Sequence, residues 1–251
     1  MSELTHLSLF TGIGGIDLAC EWAGFRTIAQ VEKNEFCREV LEKHWPSVPR
    51  FDDVRTVTGD TLRSAGIERP TLVSGGFPCQ PFSCAGKRRG AADDRFLWPE
   101  MFRVVSELRP TWCLAENVAG FVGMALDDCA ADLESVGYEV RAFMVPACAV
   151  GAPHRRDRLF VVAHAEHGRR PHGRDVARAR GEWQPAQEHG LREDVPEPGL
   201  RGVADGIPHR VDRLNALGNA VMPQQAYPFV QAIAEIETSA PATGNAGPLH
   251  A

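Results

Sequence analysis

Cys79 lies in Ser74-Gly75-Gly76-Phe77-Pro78-Cys79-Gln80-Pro81-Phe82-Ser83, a thiol between two prolines just past the apolar run Thr71-Leu72-Val73. The prolines fix φ on either side, so the sulfur has a set direction. A buried structural cysteine has no need of that setting; a nucleophile has. Three other groups could share its chemistry. Glu116 follows the apolar Trp112-Cys113-Leu114-Ala115. Its carboxylate should be partly buried and its pKa raised, which suits a proton donor near neutrality. Arg156 and Arg158, just before Leu159-Phe160-Val161-Val162, share a face at strand spacing and could hold a carboxylate or phosphate in bidentate geometry. Finally, Thr11-Gly12-Ile13-Gly14-Gly15 is a turn where backbone can approach a ligand, with the N–H groups of a following helix behind it.

Glu32, about 17 residues after Gly15, could accept hydrogen bonds from ribose hydroxyls. A dinucleotide fingerprint would place a glycine where Asp17 stands. The turn therefore points to an adenosine derivative with both ribose hydroxyls free. Plainer roles exist for each group: a surface glutamate opening a helix for Glu32, a helix N-terminal carboxylate for Glu116, solvated arginines for Arg156 and Arg158.

The elements that must position these groups read as strands alternating with helices. Residues 4–10 are a strand that ends in the glycine turn, and a helix follows to Ala23. Arg26 to Val31 is a second strand, followed by a helix from about Asn34 to His44. Phe51 to Val57 reads as a third strand and Thr71 to Ser74 as a fourth. A helix covers Trp98 to Leu108, a strand Trp112 to Ala115, a helix Leu126 to Val136, and strands Tyr138 to Val145 and Arg158 to Ala163. This alternation predicts a mostly parallel α/β sheet covered on both faces. Right-handed crossovers then bring the glycine turn, Glu32, Cys79 and Glu116 to one rim. From Ala165 to about Pro208 the pattern dissolves into Gly, Pro, Arg, Glu and His, too poor in apolar groups for a core of its own. A helix returns from about Gln224 to Ile236.

The division expected is a catalytic and cofactor-binding domain over 1–164 and a short recognition region or linker over 165–208. A segment returning to the catalytic domain over 209–238 and a disordered tail over 239–251 complete it. At 251 residues the chain can build one full core. No apolar run approaches the ~20 residues of a membrane span, and no signal peptide is apparent. The 7 cysteines are odd in number and none forms a Cys-x-x-Cys pair, which argues against a disulfide framework or a metal site and for a reducing cytoplasm. The net charge of -6 argues mildly against nucleic acid as a partner. Lys87, Arg88, Arg89 and Arg95 after the thiol, and eight arginines against three acids between His154 and Arg180, are local excesses that could face phosphates.

Taken together, these motifs resemble the DNA cytosine-5 methyltransferases over most of Leu7 to Ile236. Leu9 to Gly15 resembles the loop that wraps S-adenosylmethionine, Gly76 to Gln80 the nucleophile loop, and Glu116-Asn117-Val118 the catalytic-acid motif. Gly151 to Arg158 resembles the paired-arginine motif. Gly218-Asn219-Ala220-Val221-x-Pro223 resembles the last motif, which closes the cofactor pocket.

The resemblance implies a Rossmann-like S-adenosylmethionine-dependent methyltransferase fold. It implies a cofactor site of Phe10, Thr11, Gly12, Ile13, Gly14, Gly15, Glu32, Asp53, Val54, Gly76, Pro78, Leu97, Asn219 and Ala220. Cys79, Glu116, Arg156 and Arg158 become the catalytic group, with no metal. The Cys79 thiolate would add to carbon 6 of a flipped-out cytosine so that carbon 5 can take the methyl group. Gln80, Ser83, Lys87, Arg88, Arg89 and Arg95 would contact double-stranded DNA. A cognate restriction endonuclease or specificity partner would fit a role in restriction-modification or in phage or mobile-element protection.

Ser8 stands where the family often has an acid, and His154 where it often has a glutamine. Only about 60 residues separate Arg158 from Gly218, a shortened target-recognition region. Other readings are an RNA (tRNA) cytosine-5 methyltransferase, a non-catalytic DNA-binding subunit and, least supported, an NAD-dependent oxidoreductase.

Overall fold

The structure, a computed structural model, describes residues 3–78, 96–165 and 210–239. Its strands are β1 (Thr5–Leu9), β2 (Arg26–Val31), β3 (Arg50–Phe51), β4 (Leu72–Gly75), β5 (Trp112–Val118), β6 (Tyr138–Val145) and β7 (Arg158–Ala165). They form one sheet in the order β3-β2-β1-β4-β5-β7-β6. The first five are parallel; β7 runs antiparallel between β5 and β6. The strand order reverses between β1 and β4. That is the switch point at which open α/β sheets leave a crevice outside the carboxyl ends of their strands.

The helices are α1 (Gly15–Trp22), α2 (Glu35–His44), α3 (Gly59–Ser64), α4 (Trp98–Leu108), α5 (Val122–Ser135), α6 (Arg210–Asn219) and α7 (Pro223–Ser239). Alternation along the strands sorts the core into two layers. Leu7, Leu9, Val73, Cys113 and Ala115 face one way, onto Met101, Val105 and Leu108 of α4 and Leu133 of α5. Leu72, Leu114 and Phe160 face the other way, onto Ile16 and Ala19 of α1 and Ala226, Val230 and Ile233 of α7. The C-terminal helix is thus sheet cover, and Trp112 Nε1 donates to Glu237 Oε1 at 2.8 Å to fix it.

Two expectations are corrected. The third strand is only Arg50–Phe51, and Val54–Thr56 is a 3-10 turn. Asp53 ends the strand there because its carboxylate accepts from Arg55 N at 3.0 Å, a local bond that competes with a ladder. β5 continues to Val118, so Glu116 and Asn117 sit within the strand, opposite Phe160 and Leu159 of β7, rather than on the turn after it. The antiparallel insertion of β7 supplies the extra pairing. The segment from 166 to 209 and the tail from 240 lie outside the described residues.

Candidate active site and cofactor cleft

Glu116 is buried, and its Oε1 lies 2.8 Å from Arg158 Nε. The pair crosses from β5 to β7, and its rigidity comes from both strands being mid-sheet on that side. Burial pushes the Glu116 carboxyl up to about 7; the charges of Arg158 and Arg156 and the Arg158 hydrogen bond pull it back only in part. A carboxyl in that range can hold or release a proton near neutrality. Gly76 stands over it. A Cβ at Gly76 would fall 2.8 Å from Glu116 Oε2, so glycine is what lets the end of β4 approach the acid. Asn117 Nδ2 donates to Phe77 O at 3.2 Å, and Leu97 N donates to Pro78 O. The two ends of the segment that carries Cys79 are therefore joined beside Glu116. Cys79, Gln80, Ser83, Lys87, Arg88, Arg89 and Arg95 themselves lie outside the described residues.

Arg156 does not touch the acid by hydrogen bond. Its guanidinium donates to Gly218 O and Ala220 O, each at 2.7 Å. Its own backbone sits at φ 31°, a region costly for a non-glycine residue. Gln225, from α7, holds that backbone by donating to Arg156 O at 3.0 Å and Val145 O at 2.7 Å. The arginine thus fastens the returning C-terminal segment beside the acid. Burial and the neighbouring Arg158 charge lower its pKa from the ordinary value.

A cleft opens between this cluster and the glycine turn. Phe10, Thr11, Gly12, Ile13 and Gly15 line it from one side, Gly76 and Glu116 from another, and Asn219, Ala220 and Val221 from the third. Glu32 reaches the turn from β2: its Oε2 accepts from Gly12 N and its Oε1 from Asn34 N, both at 2.7 Å. At Gly15 a Cβ would stand 2.2 Å from Val221 O, so the C-terminal return can close on the turn only over glycine. A Cβ at Gly12, by contrast, would meet no atom of the described residues within 4 Å. A backbone cradle with open space at Gly12 and a carboxylate at the end of β2 suits an adenosine ligand, with the α1 N-terminus behind it.

A family model for C-5 cytosine-specific DNA methylases matches residues 4–193. The chain belongs to this family. Among its relatives it is 35% identical over 179 residues to the type II methyltransferase M.AquIA of Picosynechococcus, covering 64% of this chain and 72% of that protein. It is 36% identical to M.PspPI of Psychrobacter over 62% of this chain and 38% of that one. It is also 36% identical to M.FnuDI of Fusobacterium nucleatum, over 62% and 45%. A solved, proposed DNA modification methyltransferase from an E. coli prophage superposes with TM-score 0.56 at 26% identity, over 65% of this chain and 47% of that one. Spodoptera frugiperda DNMT2 shares the fold at TM-score 0.58 and 22% identity, over 67% and 52%. The fold is the Rossmann-like α/β fold of S-adenosylmethionine-dependent methyltransferases, and the chain spans about half the length of most of these relatives.

In this cytosine-methylase chain the candidate residues do not all converge. Gly14 caps α1 and would meet Trp45 if it carried a Cβ, so it serves helix packing. Asp53 accepts from Arg55 N and from Lys33 Nζ at 3.3 Å, which holds its carboxyl below the usual range. Val54 is buried in the core and offers its carbonyl to Arg103. Neither lines the cleft, nor do Pro78 and Leu97, which close the base of the Cys79 segment. Sequence reading passed over Val221 as a lining residue, Gln225 as the clamp on Arg156, and a buried Ser8–Asp17–Gln30 cluster. Gln225 gives no local signal, since its partners are 69 and 80 residues away. Asp17 did give one: an acid on the helix face that packs inward.

Proposed function

We propose that this chain transfers a methyl group from S-adenosylmethionine to carbon 5 of a flipped-out cytosine in double-stranded DNA, through a covalent bond to Cys79. The observation that carries the reading is Glu116: a buried acid with a pKa near 7, paired with Arg158, at the wall between the glycine cradle and the root of the Cys79 segment.

In this reading the Cys79 thiolate adds to carbon 6 of the base. Glu116, in its protonated form, holds the proton at N3, and Arg158 keeps the acid oriented while facing the base carbonyl. When bound, the cofactor supplies an electrophilic methyl group on a sulfonium. Carbon 5, made nucleophilic by the addition, would take that methyl group as the methyl–sulfur bond breaks and its electron pair stays on sulfur, which leaves as a neutral thioether. Loss of the carbon 5 proton to a base then re-forms the ring double bond and expels the Cys79 thiolate. Glu32 and Gly12 grip the ribose side of the cradle, and Arg156 keeps the C-terminal wall closed. Extrusion of the base from its stack costs roughly a few kcal/mol, offset by backbone contacts from Lys87, Arg88, Arg89 and Arg95. The relatives named as type II methyltransferases make protection of host, phage or mobile-element DNA, beside a cognate endonuclease, the natural setting.

The test is duplex DNA carrying 5-fluorocytosine, incubated with the full chain and S-adenosylmethionine. Because fluorine at carbon 5 cannot leave as a proton does, the adduct should stay attached to Cys79 and vanish in Cys79→Ser. Tritium transfer to duplex DNA and to tRNA, run in parallel, separates the substrates. Label in tRNA alone would replace DNA with RNA in the reading, and DNA binding without adduct or label would end it.

A further inference from the structure

The Ser8 hydroxyl donates to Asp17 Oδ2 at 2.8 Å, and Gln30 Nε2 donates to Asp17 Oδ1 at 2.9 Å. Asp17 and Gln30 are fully buried and Ser8 nearly so. One carboxylate therefore joins three elements: Ser8 on β1, Gln30 on β2 and Asp17 in the first turn of α1. Its position matters because of what each partner precedes. Ser8 is followed by Leu9 and Phe10, and Phe10 starts the cofactor turn at φ 52°. Gln30 stands two residues before Glu32, whose carboxylate holds Gly12 N. The Thr11 hydroxyl donates to Ser8 O and Val31 O, each at 3.2 Å. The turn is gripped from β1 and β2, and Asp17 is the tie between those grips.

A buried carboxylate whose contacts are neutral donors is costly to keep, and a plain core position would be better filled by an apolar side chain. Burial raises the Asp17 carboxyl to about 6, against the pull of Gln30 and Ser8. The geometry is also symmetric between residues 8 and 17: both side chains are short and buried, with one hydrogen bond between them. Ser8 and Gln30 are also partners in register on β1 and β2, so a carboxylate carried from position 8 would start beside the same amide donor.

We infer that Asp17 is a positioning residue for the cofactor turn, and that the Ser8–Asp17 pair can carry its acid at either position without loss of cofactor affinity. This rests on the methyl-transfer reading, because S-adenosylmethionine is the ligand whose affinity reports the turn. Calorimetry on the full chain should show Asp17→Ser raising the Kd for S-adenosylmethionine about tenfold, with kcat at saturating cofactor changed less than about threefold. The exchanged double variant, S8D with D17S, should return the Kd to within about threefold of the unsubstituted chain, and the cofactor-free Tm should recover with it. S8D alone sets two carboxylates side by side and should lose more Tm at pH 8 than at pH 5. Unchanged affinity in D17S, a folded double variant that still binds about tenfold weaker, or a double variant that does not fold would each overturn the inference. Should the unsubstituted chain itself bind no S-adenosylmethionine, the methyl-transfer reading falls and this tie falls with it. Binding by the unsubstituted chain without recovery in the exchange sinks the tie alone.

Discussion

Two buried carboxylates lie close to one cleft, Glu116 in its wall and Asp17 behind Ser8, and they are stabilised by different means. Glu116, between β5 and β7, is paired with a guanidinium at 2.8 Å and looks into the space where chemistry would occur. Asp17, at the start of α1, rests on a hydroxyl and an amide and is sealed away from solvent. Burial raises both, to about 7 and about 6. A charged partner suits a group that must change protonation while staying oriented, since the cation remains whatever the acid does. Neutral donors suit a group that only has to hold three elements together. In the methyl-transfer reading proposed above, the same residue chemistry serves reaction in Glu116 and architecture in Asp17, and the partner distinguishes them.

Removing each partner should show whether the two carboxylates are held differently. Arg158→Ala strands a buried acid beside an empty site and should cost about 3–5 kcal/mol of stability. Gln30→Ala removes one neutral donor and should cost about 1–3 kcal/mol. Equal losses in urea titrations would erase the distinction. Next in size, Glu116→Gln keeps the shape and an acceptor for Arg158 but not the titrating proton. Methyl transfer should fall about a hundredfold or more while the Kd for S-adenosylmethionine stays within about threefold. Tritium-transfer kinetics and calorimetry read the two quantities separately.

Both carboxyls have folded pKa values raised above their unfolded ones. The stability they contribute is therefore fully present below about pH 4 and lost as pH rises through about 6 for Asp17 and about 7 for Glu116. Asp17→Asn and Glu116→Gln should each remove part of that decline, of order 2 kcal/mol, when urea midpoints are compared at pH 4.5 and 8. The buried His6, lowered to about 3, runs the other way and destabilises the fold as pH falls below about 6.5. The difference between variant and unsubstituted chain is therefore the quantity to read. The Glu21 charge also raises Asp17, so Glu21→Gln should move the Asp17 part of the curve slightly toward lower pH. At Glu32→Ala the Kd for S-adenosylmethionine should rise about tenfold, or about 1.4 kcal/mol. No change there would detach the β2 carboxylate from the cofactor side of the cleft.

Much of the frame could be read along the chain. Apolar runs ending in glycine or a carboxylate placed four strands close to their true positions, because a parallel strand buried on both faces must be apolar and must end in a turn. Crossover handedness brought the glycine turn and Glu32 to one end of the parallel strands, whereas Glu116, expected on the turn after β5, lies within that strand. The pattern of Phe51 to Val57 predicts a strand, but Asp53 bonds its own neighbourhood and turns the chain after Phe51, a competition that hydrophobic pattern does not reveal. The role of Arg156 was equally hidden. Two guanidiniums two residues apart look alike in sequence, yet Arg158 meets the acid while Arg156 turns to carbonyls 62 and 64 residues on.

The sheet class, the family, the glycine turn and the burial of Glu116 could all be read from the order of residues, since each depends on local pattern and short-range spacing. Which side chains meet across distance emerges from the folded molecule: the C-terminal return closing over Gly15, Gln225 holding Arg156, and Asp17 reaching Ser8 from the neighbouring helix. Those contacts arise where separate elements pack to within hydrogen-bonding distance, and the geometry of that packing is a property of the whole fold rather than of any segment.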